Sequence, residues 1–225
     1  MKRLLSVGAL LFALTSFAGN NDIYLTQTGT GLTLTVDQIG ATNKVGTSQA
    51  RVTLSGTSMT VDLDQIGDTN TFAATIAQGN SSSFTYKATG DSNTAAITAG
   101  GTGDVAGTDF DFEATGDSNA LTFTQGDAAT ATGGNQDFVV TGTSNDINAK
   151  CNVVGCINSW TVSGNSNDID TVQSGRQDHS IAVVLTGSSN NVDVDQTDTA
   201  STNVANIIST TTNGVINVDQ CASGC

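Results

Sequence analysis

The sequence predicts an all-β fold: a β-solenoid with two strands per coil, made of about nine strand–turn–strand coils. Three observations carry this. The 225 residues include 36 Thr and 25 Gly but no Pro. A Gly-x-x-Asn tetrad recurs along the chain. Between the tetrads, apolar and polar residues alternate with the period of two that puts one set on each face of a strand.

The composition favours strands over helices. Of 21 acidic residues all but Glu113 are Asp, a poor helix former, whereas Thr favours pleated structure. The formal charge is −14, with only seven Lys and Arg, which argues against nucleic-acid binding, where cations must meet phosphates. Beyond residue 18, Leu, Ile, Val and Phe number 43 of 207, close to the level below which a packed core fails. The chain is either unfolded or uses few apolar residues economically.

Residues 1–18 read as a secretory signal peptide. Met1-Lys2-Arg3 is basic, Leu4 to Phe17 is mostly apolar, and Ser16-Phe17-Ala18 places small residues at −3 and −1 of a cut before Gly19. The apolar run is shorter than the roughly 20 residues a helical span needs, and no later segment supplies one. The expected product is one secreted domain, 19–225, not inserted in a membrane. Loss of Lys2 and Arg3 takes its charge from −14 to −16.

The turns are Gly40/Asn43, Gly67/Asn70, Gly90/Asn93, Gly116/Asn119, Gly142/Asn145, Gly164/Asn167 and Gly187/Asn190. From Gly67 the steps are 23, 26, 26, 22 and 23 residues. Gly29-Thr-Gly-Leu32 and Gly56-Thr-Ser-Met59 are the same turn with an apolar residue for Asn, and Thr210-Thr-Thr-Asn213 reads as a last degenerate copy. Glycine suits a tight turn because it accepts positive φ.

After each turn, alternate residues share the face of the Asn: Asn119, Leu121, Phe123, Gln125, or Asn190, Val192, Val194, Gln196. Before each turn the pattern mirrors this, with Tyr86 and Ala88, Phe112 and Ala114, Phe138 and Val140, Trp160 and Val162, Val183 and Leu185. Looser second turns, Ala99–Thr108 and Gly126–Asn135, absorb the length variation as Gly- and Asp-rich loops.

Such a coil buries its apolar face only by stacking in parallel on the next. An inward amide is costly unless paired. In register, each N–H meets the C=O of a neighbouring copy, as in cross-β stacks. The expected ladders are Asn21, Asn43, Asn70, Asn93, Asn119, Asn145, Asn167 and Asn190, and Gln27, Gln38, Gln49, Gln65, Gln125, Gln173 and Gln196. The end coils are expected to leave strand edges unpaired.

The N-terminal pattern is more specific. Asn21-x5-Gln27-x-Gly29-x2-Leu32-x5-Gln38-x-Gly40-x2-Asn43-x5-Gln49 is continuous, and Met59-x5-Gln65-x-Gly67-x2-Asn70 repeats it. This resembles the curlin repeat, Ser/Asn-x5-Gln-x-Gly-x2-Asn-x5-Gln, clearly over 21–78 and more loosely to Gln220. The resemblance implies an exported subunit that polymerises into extracellular amyloid fibres for adhesion and biofilm matrix, with secretion and nucleator partners. Later copies depart from it, with Ala88, Ala114, Val140, Val162 and Leu185 where the Gln before the Gly would stand.

No catalytic, cofactor or metal site is expected. Cys151, Cys156, Cys221 and Cys225 read as disulfides in an exported chain, local pairing being the simplest of three connectivities. His179 is not spaced with them for zinc. Asp178-His179-Ser180 is consecutive and cannot converge as a triad, so His179 reads as a solvated loop residue. Asp62/Asp64, Asp109/Asp111, Asp168/Asp170 and Asp193/Asp195, with turn residues Asp68, Asp91 and Asp117, read as solvated charge opposing lateral sticking. Calcium needs about six to eight oxygens, and Gly100-Gly-Thr-Gly-Asp104 is a poor single copy of a calcium nonapeptide.

The alternative function is a monomeric secreted binding module, adhesive or ice-binding. Thr33/Thr35 and Thr122/Thr124 are Thr-x-Thr pairs of the type flat ice-binding faces use, although they do not recur coil after coil. An enzyme of the three-strand β-helix type is disfavoured, since the coils have two arms and no cleft.

Overall fold

The computed structural model describes residues 11–17, 20–40, 42–47, 49, 51–78, 80–100, 106–126, 134–152, 156–175, 179–198 and 204–221. Among them there is no helix. The strands are β1 (Leu11–Phe17), β2 (Asn20–Ile23), β3 (Thr26–Thr28), β4 (Thr33–Ile39), β5 (Thr42–Val45), β6 (Val52–Ser55), β7 (Thr60–Ile66), β8 (Thr69–Gln78), β9 (Ser83–Thr89) and β10 (Ser92–Ala99). There follow β11 (Asp109–Thr115), β12 (Ala120–Gln125), β13 (Asn135–Thr141), β14 (Asp146–Cys151), β15 (Ile157–Ser163), β16 (Asp168–Gly175), β17 (Ser180–Ser188), β18 (Asn191–Asp198), β19 (Val204–Thr212) and β20 (Val215–Cys221).

These form two parallel sheets. Sheet A is β1-β4-β7-β9-β11-β13-β15-β17-β19, and sheet B runs from β2 through β5, β8, β10, β12, β14, β16 and β18 to β20, with β3 and β6 beside it. The chain climbs one strand of each sheet per coil, so the expected solenoid with two strands per coil is the fold. Seven coils, β7–β8 to β19–β20, carry a full strand on each sheet. The nine expected are reached only with two N-terminal coils whose sheet B arm is broken, into β2 and β3 and into β5 and β6.

β1 lies in the segment that reads as a signal peptide. It pairs with β4 over seven residues, from Leu11 against Thr33 to Phe17 against Ile39. Among the described residues it is the first strand of sheet A; a cut before Gly19 would remove it and leave β4 as that edge.

Alternation is strict, as in β11 and β13, where every second residue is buried. The inward residues of both sheets make one continuous core from Leu32 to Val194. Parallel register turns like residues into columns. Leu63, Tyr86, Phe112, Phe138 and Trp160 stand over one another, and Phe138 stacks on Trp160 at 4.0 Å between ring centroids. Trp160 is fully buried, so its fluorescence reports folding.

The tetrads fall on both edges of the solenoid. Gly40, Gly67, Gly90, Gly116, Gly142, Gly164 and Gly187 join sheet A to sheet B, whereas Gly29 and Gly56 stack at the opposite edge. The expected positive φ occurs at Gly29, Gly40, Gly67, Gly142, Gly164 and Gly187, and a second reason for glycine adds to it. Gly56, Gly90 and Gly116 are not among the residues of positive φ, yet a Cβ on any of them would lie 1.6–1.7 Å from the carbonyl oxygen of the glycine one coil below. Close approach of coils is the common constraint. Left-handed backbone is carried in several turns by the residue before the tetrad's last position: Ser58, Ser144, Ser166 and Ser189 have φ of 56–59°. The last turn is shifted by one residue from the expected copy: Thr211 stands opposite Gly187 and Val215 opposite Asn191, so Gly214 precedes β20 where Asn190 precedes β18, and Asn213 takes the left-handed conformation.

Candidate functional site

The features that distinguish this solenoid are its stacked amides and, among the described residues, an uncovered last coil. The Asn ladder runs unbroken from Asn43 to Asn190. Nδ2 of Asn43, Asn70, Asn93, Asn119, Asn145 and Asn167 each donates to Oδ1 of the next Asn, at 2.7–3.1 Å. Each also binds the carbonyl of its own turn glycine; Asn93 Nδ2, for example, reaches Gly90 O at 3.2 Å and Thr115 O at 3.1 Å. The ladder therefore clamps each tight turn from Gly40 to Gly164 to the coil above. Its two ends are open: Asn43 Oδ1 and Asn190 Nδ2 are buried without partners. Asn21 is opposite Asn43 by backbone register, but its side chain lies outside the described residues.

The Gln residues do not form one ladder. Gln65 Nε2 donates to Gln38 Oε1 at 2.7 Å in sheet A, and the Tyr86 hydroxyl ends that pair by donating to Gln65 Oε1 at 2.8 Å. Burial pushes the Tyr86 phenol far above its usual range. In sheet B, Gln196 donates to Gln173 at 2.7 Å and Gln220 to Gln196 at 2.6 Å. Gln125 is buried but stands opposite Cys151, and its amide oxygen accepts from Gln136 on the facing sheet.

Two expected rungs are corrected. Gln49 is exposed in the bulge between β5 and β6, and Leu54 takes the column of Ile76 in its place. The cause is length: Gly40 to Gly67 spans 27 residues, four more than Gly67 to Gly90, and the surplus loops out. Gln27 is half-buried and opposite Leu54, so it has no amide rung above it.

Cys151 and Cys156 form the expected local disulfide, fully buried across the turn from β14 to β15. Cys225 and the side chain of Cys221 lie outside the described residues, as do Asp178 and 101–104 of the calcium-like run. Replacing both Cys151 and Cys156 by Ala is expected to cost about 2 kcal/mol, the entropy of so short a loop, read by urea unfolding.

His179 overturns its expectation. It is 1% exposed, and its Nδ1 accepts the backbone N–H of Cys156 at 3.2 Å. A nitrogen that accepts carries no proton, so the imidazole is neutral in this arrangement. Gln136 and Asn158 are likewise buried, on β13 and β15. All three share the parity of neighbouring core residues, such as Ile181, Phe138 and Trp160, and that was the signal available for them.

The outward Asp residues form columns. Asp37 pairs with Asp64, Asp111 with Asp137, Asp170 with Asp193 and Asp195 with Asp219. Partial burial first, then neighbouring carboxylates, raise the pKa values of Asp64, Asp111, Asp170 and Asp195. A carboxyl whose folded pKa lies above its unfolded one binds its proton more tightly when folded. Its stabilising contribution is complete below about pH 4 and is lost as pH rises through the raised values. Asp170→Asn is expected to raise the melting temperature at pH 7 and to reduce its further gain on acidification, in thermal melts across pH. Among the described residues no cluster of three or more His, Cys, Asp or Glu is placed to hold a metal ion.

No protein-family model, curated protein or solved structure matches the chain. The reading of its function therefore rests on geometry and on the repeat.

The end of the stack is where the geometry is incomplete. Among the described residues β19 pairs only with β17, and β20 only with β18. Ile216 and Val218, opposite Val192 and Val194, are 42% and 38% exposed, whereas Val192 and Val194 are fully buried. A core surface and two rows of backbone hydrogen-bonding groups thus face outward.

Proposed function

We propose that the chain is a secreted structural subunit that stacks end to end into a curli-like extracellular amyloid fibre, serving cell adhesion and biofilm matrix. The observation that carries this reading is the open last coil. Its inward residues and unpaired edges are complementary to the first coil of an identical chain, whose β4 edge is freed by a cut before Gly19. Such edges invite strand addition unless they are blocked. The curlin-like spacing at 21–78 supports the same conclusion. Secretion and nucleator partners are part of the proposal.

Residues 19–225, incubated at neutral pH, are expected to bind an amyloid dye and to give unbranched fibres by electron microscopy. Ile216→Lys with Val218→Lys places charge on the open coil and is expected to slow seeded elongation at least tenfold, a contact worth about 1.4 kcal/mol or more. Trp160 emission should remain that of a buried indole. Elongation at the wild-type rate would refute growth through this end.

One observation favours the monomeric binding module. Thr26, Thr53, Thr75, Thr98 and Thr124 form an in-register column on the outer face of sheet B, a recurrence not evident from the Thr-x-Thr pairs. The Arg51 side chain crosses this face, donating to Ala74 O, Ala96 O and Thr98 Oγ1 at 3.1–3.3 Å, so the column is not a flat bare surface. Thermal hysteresis in dilute solution would decide for that reading.

A further inference from the structure

The outer face of sheet A changes character half-way along the stack. One column reads Asp37, Asp64, Lys87 and Glu113, then Val139, Thr161, Val184 and Ile208. A parallel column contributes Ile157 and Val204, two strands apart. Val139, Ile157, Val184, Val204 and Ile208 are 37–56% exposed. The outward positions of β13, β15, β17 and β19 carry a single acid, Asp137, and no Lys or Arg. The back of the same coils, on sheet B, carries Asp146, Asp168, Asp170, Asp193, Asp195 and Asp219 against Lys150.

We propose that this half-face of sheet A, whose one charge is Asp137, is a lateral docking surface for the same half-face of a second copy of the chain. Charge selects the occupant. The half-face offers no cations to an acidic partner and too little acid for a basic one. Two copies of a chain of charge −14 repel wherever their Asp columns approach. Here the single acid each copy brings is Asp137, on β13 at the border with the charged half. Rows of β-branched side chains on a pleated surface interdigitate when sheets pack about 10 Å apart.

The size of the face sets the strength. Four strands about 4.8 Å apart, each about 23 Å long, cover roughly 450 Å² per copy, short of the about 800 Å² per partner of a stable complex. A single pair is therefore weak. Copies stacked end to end repeat the face along the fibre and hold by avidity, so the tight form of this contact rests on the stacking reading.

The test is Val139→Glu with Val184→Glu, against a control with the same added charge on sheet B, Thr94→Glu with Thr122→Glu. Wild-type and control fibres should run as laterally paired filaments under the electron microscope, and the Val139/Val184 variant as single filaments elongating at the wild-type rate. Single wild-type filaments, pairs that survive in the variant, or equal loss in the control would overturn the proposal. If no fibres form, stacking is what fails. The lateral contact must then still show, in sedimentation of the soluble chain at about 1 mM, as a concentration-dependent dimer that the variant lacks. A strictly monomeric wild type at that concentration would also overturn it.

Discussion

Gly142→Ala is expected to destabilise the solenoid by about 3 kcal/mol or more, the range of overpacking that backbone cannot relieve. A Cβ at Gly142 would stand 1.5 Å from Gly116 O and 2.7 Å from Gly116 C, at a φ of +156°. Both atoms belong to the neighbouring coil. Making room means lifting one coil off the next, which stretches the bond from Gly116 N–H to Thr141 O, now 2.9 Å. Gly107→Ala is the control. Nothing lies within 4 Å of its Cβ, and only a φ of +60° opposes the change, so about 1 kcal/mol is expected. Urea unfolding followed by Trp160 emission measures both. Equal stabilities for the two variants would mean that the coils are not stacked as closely as described.

Asn145→Ala should cost roughly 2–4 kcal/mol, since each buried group left without a partner costs about 1–3 kcal/mol. Asn145 Oδ1 accepts from Asn119 Nδ2 and Asn119 N–H at 2.9 and 3.2 Å. Its Nδ2 donates to Gly142 O and Asn167 Oδ1 at 2.9 and 2.7 Å. Alanine removes all four contacts at a position 1% exposed. Asn145→Asp keeps the shape but sets a buried carboxylate against two acceptor oxygens, so at pH 7 it should be the worse of the two. Acidification should restore part of that loss, because a protonated carboxyl can donate again. Asp146→Ala, one residue on and facing solvent, should change stability by no more than about 0.5 kcal/mol. Similar costs at 145 and 146 would remove the ladder from among the forces that hold the fold.

The contrast between these neighbours was legible in the sequence, because period two assigns a face to each residue and the tetrad fixes the phase. The same two signals locate the Asn ladder from Asn43 to Asn190 and the inward residues flanking each tetrad, but not Gln136 and Asn158 farther along β13 and β15. Gln49 shows where such reading stops. Its spacing from Asn43 fits the repeat, but which residues of a long coil bulge out is decided by pairing with the strands above and below. Here Val52–Ser55 rather than the segment around Gln49 meets β8. The glycines show a second limit. Sequence marks the turn, and with it the positive φ of Gly142 or Gly164, but not the carbonyl one coil away that excludes a Cβ. His179 marks a third limit: its loop neighbours point to solvent, but its parity with Ile181 decides its burial.

The stacking of one chain on the next is tested most directly by fibre diffraction from oriented residues 19–225. A cross-β pattern with a meridional reflection at about 4.7–4.8 Å is expected, the rise of one coil continued from molecule to molecule. A chain that stays monomeric, or fibres whose strands do not lie across the fibre axis, would contradict it.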